Sequence, residues 1–161
     1  MLHLHNHTSL GSLRDGFSKI PDLVSRVKEL GMGSVAVTDH GSMTATIEFY
    51  NECKKQNIKP IIGLECYFTP EILIKDRKLQ YHLILLAYNK QGYKNLLKLN
   101  TEAHESFYYK PRVSIDMLEK YKDGLFCLSA CLASIINTDN GEEWARKFKS
   151  MFGDKFYLEL Q

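Results

Sequence analysis

Three consecutive stretches, SVAVTDHG (residues 34–41), SMTATIEFYNECKKQNI (42–58) and KPIIGLECYF (59–68), carry the reading of the fold. The first opens on a short apolar, β-branched run and breaks at Asp39-His40-Gly41. That pattern predicts a buried strand over 34–38 and a turn after it. The second predicts a helix over 44–56. The third is again apolar and predicts a strand over 59–68, with Glu65 late in it. Strand, helix, strand within so short a span predicts a crossover unit in a parallel sheet.

Working outward, the pattern continues. Toward the N-terminus, Leu2 to His7 (LHLHNH) alternates with period two, which predicts a strand with His3, His5 and His7 on one face. A GSLRDG turn follows, then a helix over 21–30, with Pro21 at its start, Gly31 past its end, and Leu23, Val24, Val27 and Leu30 as its apolar stripe. Toward the C-terminus the expected strands are 82–87, 125–129 and 155–161. The expected helices are one capped by Asn89 and carrying Tyr93, Leu96, Leu97 and Asn100, one over 115–121 and one over 142–152. The charged insert PEILIKDRKL (70–79) reads as a loop or a poorly formed helix. The expectation is an α/β domain with a parallel sheet, ending inside its last strand and so incomplete at its C-terminus.

Composition narrows the classes of function. The chain has 161 residues, 44% hydrophobic and 25% charged, with a formal charge of +2. Such values exclude intrinsic disorder. No apolar run approaches the ~18 residues of a membrane span. A net charge this small supplies no general cationic field for nucleic acid or anionic lipid, so any such contact must be local. The start, MLHLHNHTSL, lacks the basic and apolar regions of a signal peptide, which predicts a cytoplasmic protein with reduced thiols. Cys53, Cys66, Cys127 and Cys131 form no C-x-x-C pair; the first three read as small buried hydrophobes.

Polar residues gather at the ends of the expected strands: His5 and His7 at the first, His40 at the second, Glu65 late in the third and Cys131 just past the fifth. Catalytic groups of α/β sheets and barrels collect where strands end. His82 is the exception, because it opens its strand. His-x-His on a strand sets two imidazoles about 7 Å apart on one face, a spacing able to bracket metal ions. Imidazole with carboxylate suits zinc, manganese or iron.

HLHNHT, RDG, VAVTDHG, KPIIGLECY, YHLILLAYN, FYYKPR, LSACLAS and FYLELQ, in this order, resemble the PHP (polymerase and histidinol phosphatase) domain at the N-terminus of bacterial DNA polymerase III alpha subunits. The resemblance spans residues 2–161. It implies a distorted (β/α) barrel of seven strands, about six of them within this chain, and a cluster of up to three divalent transition metals (zinc, manganese or iron). By the same resemblance the metal ligands are His5, His7, Asp15, His40, Glu65, His82 and Cys131, with Glu65 bridging two ions. Asp15 also has a second reading, as the turn-forming residue before Gly16. Asp39 is expected to orient its turn. The remaining ligands of the family, an Asp-x-His pair, have no match after Cys131 and are expected beyond Gln161.

The chemistry implied is metal-assisted phosphoester hydrolysis, with Glu65, His40 and His7 as the catalytic set. In the polymerase branch the substrate is a DNA 3′ end and the activity 3′–5′ exonuclease proofreading. The partners implied are the remainder of the alpha subunit and other replisome subunits, with no membrane. No polymerase carboxylates occur here, so the chain alone would not synthesise DNA. Two other readings stay open: a metal-bound structural or interaction domain without turnover, and a phosphatase for a small phosphate ester. Tyr108, Tyr109, Lys110 and Arg112 combine rings with charge and are candidate nucleic-acid contacts, or else solvated packing. His3 reads as outside the ligand set, His104 as solvated, and Trp144 as a helix anchor on the sheet.

Overall fold

A computed structural model describes residues 2–160. In chain order the elements are α1 (Ile20–Glu29), β1 (Ser34–Val37), α2 (Thr46–Lys55), β2 (Lys59–Phe68), β3 (Tyr81–Ala87), α3 (Lys90–Glu105), β4 (Arg112–Val113), α4 (Ile115–Tyr121), β5 (Leu125–Leu128), α5 (Gly141–Phe152) and β6 (Phe156–Tyr157). Every helix expected from periodicity forms, each within two residues of its expected ends where these were drawn. Their causes are local. Pro21 opens α1 and Gly31, at φ +69°, ends it. Asn89 caps α3 by accepting the Gly92 N–H at 2.8 Å.

The long β2 is the spine. Along one edge its first half pairs in parallel with β1, from Ser34↔Lys59 to Val37↔Ile62. Further along that edge lies β4, Tyr67 beside Arg112. On the other edge β3 runs antiparallel, Gly63↔Leu86 to Phe68↔Tyr81. β5 is antiparallel to β3, and β6 is parallel to β5. The all-parallel sheet expected from the sequence is therefore corrected to a mixed one. The reason lies in the connection between β2 and β3: it holds only the single 3-10 turn Arg77–Leu79. Without a crossover helix the chain doubles back on its neighbour, as a hairpin does.

Two strand assignments also change. Residues 2–7 form no strand, although they run beside β1 through a bridge from His3 to Val35. Asn6 takes over part of the ladder: its side chain donates to the carbonyls of His3 and Ala36, and its N–H goes to Thr38 Oγ1. The last strand is only Phe156–Tyr157; of the expected span, Gln161 lies outside the described residues. The two-residue β4 had no strand signal of its own.

The layers follow strand alternation. Leu64, Cys66, Phe68, Leu83 and Leu85 face outward into the main core with Leu96, Leu99, Leu118 and Phe148 of the helices. Trp144 packs edge-on to Phe68 there, ring centres 5.2 Å apart, as an anchor of α5. A second core sits between β1, α1 and α2, around Val35, Val37, Val24 and Phe49. The inner face carries a smaller cluster of Ala36, Ile84, Leu86 and Leu128. The sheet curls so far that its ends approach: His5, from the segment beyond β1, meets Glu159, just past β6, at 2.7 Å. This is a distorted α/β barrel. Beside that contact an open groove of about 960 Å³ is lined by Leu2, Leu4, Leu86, Phe126, Leu158 and Leu160.

Gly92 and Gly124 mark the tightest join of helix and sheet. A Cβ on Gly92 would fall 1.9 Å from the carbonyl oxygen of Gly124, which itself holds φ +83°. Gly92→Ala would gain helix propensity of about 1 kcal/mol. The backbone collision outweighs it, because neither glycine's main chain is free to shift. A net loss of about 3 kcal/mol is expected. Chemical denaturation against Gly33→Ala checks this, since a Cβ at Gly33 meets nothing within 4 Å. Equal midpoints for the two variants would refute the close join.

Candidate metal centre

The centre is assembled by strand register. The β1–β2 pairing runs on past Val37 as an isolated bridge between His40 and Glu65, so the Thr-Asp-His turn sets His40 directly beside the carboxylate. Across the other edge, Tyr67 pairs with His82 and Glu65 with Ile84. Paired residues share a face, so Glu65, Tyr67 and His82 all point inward, while Cys66 points to the outer core. This resolves the exception of His82. Because β3 runs backwards, the start of β3 lies at the same end of the barrel as the finish of β2. His5 and His7 come from the extended segment beside β1.

Glu65 is fully buried. Its Oε1 lies 3.3 Å from His5 Nε2 and 3.0 Å from His82 Nδ1; its Oε2 lies 3.3 Å from His7 Nε2 and 2.6 Å from His40 Nδ1. The rings are packed together: His7 stacks on His40 at 4.1 Å, and His40 is 5.1 Å from His82. Yet neither oxygen of Glu65, nor Nδ1 of His40, has an aligned hydrogen-bond partner. Buried polar atoms left this way are costly. Donor atoms that crowd together without aligned hydrogens between them are aimed at a common point, and that fits a cation. Two ligand trios result, His5–His7–Glu65 and His40–Glu65–His82, each with its donor atoms within 4.8 Å of one another. They share Glu65. Nitrogen with carboxylate oxygen suits a divalent transition metal.

The electrostatics agree. Burial by itself would raise the Glu65 carboxyl, but the imidazoles of His40, His5 and His82 outweigh it and hold the group far below the usual carboxylate range. Burial opposes protonation of His5, yet the Glu159 and Glu65 carboxylates prevail and push its pKa up to about 9. His40 is raised in the same sense against burial, by Glu65 and Asp15. His7 goes the other way, lowered by burial and by His40 and His5, which exceed the pull of Glu65. Burial raises the Cys131 thiol.

The structure gathers His5, His7, His40, Glu65 and His82. Asp15 is more peripheral: it is exposed, in a turn, with Oδ2 3.2 Å from His40 Nε2, so it belongs to neither trio. Cys131 lies beside His82, its Sγ 3.4 Å from the same Nδ1 that faces Glu65, but it too is outside both trios. At the rim, Lys110 Nζ sits 4.0 Å over the Tyr67 ring, which itself stacks on His40 at 5.9 Å. Tyr109 is exposed, with Arg77 4.4 Å over its ring. Arg112 must be set apart. It is buried, and its guanidinium donates to the carbonyls of Ser106 and Ile74 at 3.0 Å each, which ties β4 to two loops and leaves it turned from solvent. His3 is exposed and away from the cluster; His104 is exposed, with Nδ1 on the Asn100 carbonyl.

Sequence reasoning passed over Glu159 and Tyr67. Glu159 sits opposite His5 only because the sheet curls, and nothing local signals that. Tyr67 had a signal, since it is two residues from Glu65 and so on its face.

Among the described residues no helix is long and apolar enough to cross a membrane. A profile of the PHP domain matches residues 3–161. DNA polymerase III subunit alpha of Borreliella burgdorferi is 47% identical over 99% of this chain and 15% of its own length. The subunit of Aquifex aeolicus gives the same figures, 47%, 99% and 15%. That of Helicobacter pylori strain 26695 is 42% identical over 98% and 15%. The chain thus spans about 15% of the length of the relatives it matches. With the candidate metal-binding trios, the curled sheet and the profile in agreement, the chain belongs to the PHP domain family.

Proposed function

We propose that this domain is a metal-dependent phosphodiesterase acting on a DNA 3′ end, a 3′–5′ exonuclease within a polymerase III alpha-type protein that serves DNA replication in the cytoplasm. The observation that carries the reading is one buried carboxylate, Glu65, shared by two imidazole-bearing trios. Glu65, with His5, His7, His40 and His82, would hold two divalent ions, zinc, manganese or iron; Asp15 and Cys131 stand close enough to extend the set toward a third. Bound metals supply an acidified water at neutral pH and counter-charge for phosphate oxygens.

The chain's own residues do the rest. Glu65 keeps the two trios at one separation. His7 and His40, stacked face to face, fix where the reacting phosphate can enter. Lys110, held over Tyr67 at the rim, meets the phosphate backbone of a bound strand, and exposed Tyr109 offers a face on which a base can stack. The identity with polymerase III alpha subunits supports a nucleic-acid substrate over a small phosphate ester. The same identity supports the view that the remainder of such a polypeptide and other replisome subunits are its partners.

Hydrolysis of 3′-labelled single-stranded DNA in manganese is the test. Nucleotides should be released one at a time from the 3′ end and a chelator should stop the release. Lys110→Ala should raise KM about tenfold with a shallower salt dependence, and leave kcat nearly unchanged. Hydrolysis indifferent to the chelator would remove the proposed function.

A further inference from the structure

Ser12 is buried and sits between the two trios. Its Oγ donates to Asp39 Oδ1 at 2.8 Å, accepts the backbone N–H of His40 at 3.1 Å, and lies 3.4 Å from His7 Nδ1. A serine hydroxyl has one proton and two lone pairs. Where the proton goes is settled by Asp39. Its Oδ1 already accepts the Thr8 backbone N–H at 2.6 Å, so toward Ser12 it offers a lone pair. Its Oδ2 takes the Thr8 hydroxyl at 2.8 Å. Gly11 closes the back of the carboxylate: a Cβ there would fall 2.2 Å from Oδ2, so no water fits between them. The Ser12 proton is therefore committed to Asp39, and one lone pair to the His40 N–H. Only a second lone pair remains for His7.

An acceptor facing Nδ1 puts the ring proton on Nδ1. The lone pair of a neutral His7 is then on Nε2, the atom 3.3 Å from Glu65. A neutral imidazole ligates only through its unprotonated nitrogen. We infer that Ser12 is a positioning residue that sets the tautomer of His7, that Asp39 fixes the direction of the Ser12 hydroxyl, and that this one hydroxyl locks His7 of the first trio to His40 of the second. The inference rests on the metal reading above and adds a device that the ligand set alone does not contain.

The test has two independent readouts. Nitrogen-15 NMR of the metal-free protein at pH 8 reports the tautomer; His7 should be the Nδ1–H form, and Ser12→Ala should shift it toward Nε2–H. Titration with cobalt(II), followed by visible absorption, reports the ligands. Ser12→Ala should weaken cobalt at the His5–His7–Glu65 trio ten- to hundredfold, on the scale found for groups that orient metal-binding histidines, with a smaller change at the His40–Glu65–His82 trio. Asp39→Ala should do the same. Asp39→Asn should retain most of the affinity, because the amide oxygen can take the two bonds now made by Oδ1. An Nε2–H tautomer in the parent protein, or parent-like cobalt affinity in Ser12→Ala, would overturn the inference. If the parent binds no cobalt, the metal reading falls and the tautomer alone decides this proposal.

Discussion

Replacing Glu65 by glutamine is expected to empty both trios at once. The side chain keeps its volume, so the inner cluster of Ala36, Ile84 and Leu86 keeps its neighbours. What is lost is the only carboxylate common to His5–His7–Glu65 and His40–Glu65–His82. An amide brings one weakly donating oxygen and two N–H groups that point at a cation or at an imidazole lone pair. Either trio then keeps two nitrogens and no anion. Metal affinity should fall at least a hundredfold, about 2.7 kcal/mol, and release of nucleotide from labelled DNA should fall to background. Lys110→Ala, which touches only the rim, should retain its turnover number. Elemental analysis after dialysis, run beside the DNA assay, reads both effects. Glu65→Gln with full metal content would sink the bridging role; Glu65→Gln with full activity would place hydrolysis elsewhere.

A second large effect is expected in the dependence of stability on pH and metal. In the metal-free protein His5 is raised to about 9 by Glu159 and Glu65. Its ion pairs therefore stabilise the fold fully below the unfolded value of about 6.5, and this contribution is lost as pH rises through about 9. Glu65, held low by its imidazoles, adds stability that is present above the ordinary carboxylate range and lost on acidification. His7, already lowered, works against the fold as pH drops below about 6.5, because only the unfolded chain then takes the proton readily.

Metal must displace the proton of His5, so binding strengthens from pH 6 toward pH 9 and releases protons. The melting temperature without metal should decline across that alkaline range, and manganese should restore it. At a hundred times its dissociation constant a bound ion adds about 2.7 kcal/mol. For a chain of this size that is about 5–10 °C. Melting curves at pH 6, 7.5 and 9, with manganese or with chelator, provide the measurement. A manganese shift that is equal at all three pH values would contradict the competition between metal and proton at His5.

Much of this was legible in the residues. Helix α4 and strand β2 fall where periodicity puts them, because their signals are local: a Ser114 cap before Ile115, and an apolar run between charged turns. The histidines and Glu65 were legible as a set because each sits at a strand end or alternates with period two, and because their order resembles that of a known family. The direction of β3 was not legible. A strand has the same alternation read either way, so only the missing helix in the connection before it hinted at reversal. The two-residue β4 exists because β2 offers it an edge, and no pattern of its own announces it.

The sequence by itself therefore determined the helices, most of the central strands and the outward core face, and it named the candidate ligands His5, His7, His40, Glu65 and His82, since these depend on side-chain type and short-range spacing. The tertiary structure alone decided how the candidate ligands are divided into two trios around one carboxylate, that Arg112 is turned inward onto two carbonyls, and that Glu159 and Ser12 hold the histidines from behind. Those contacts join residues as far apart as His5 and Glu159. Their existence follows from sheet register and curl, which are set by the sum of many weak pairings across the fold and leave no mark at either residue's own position.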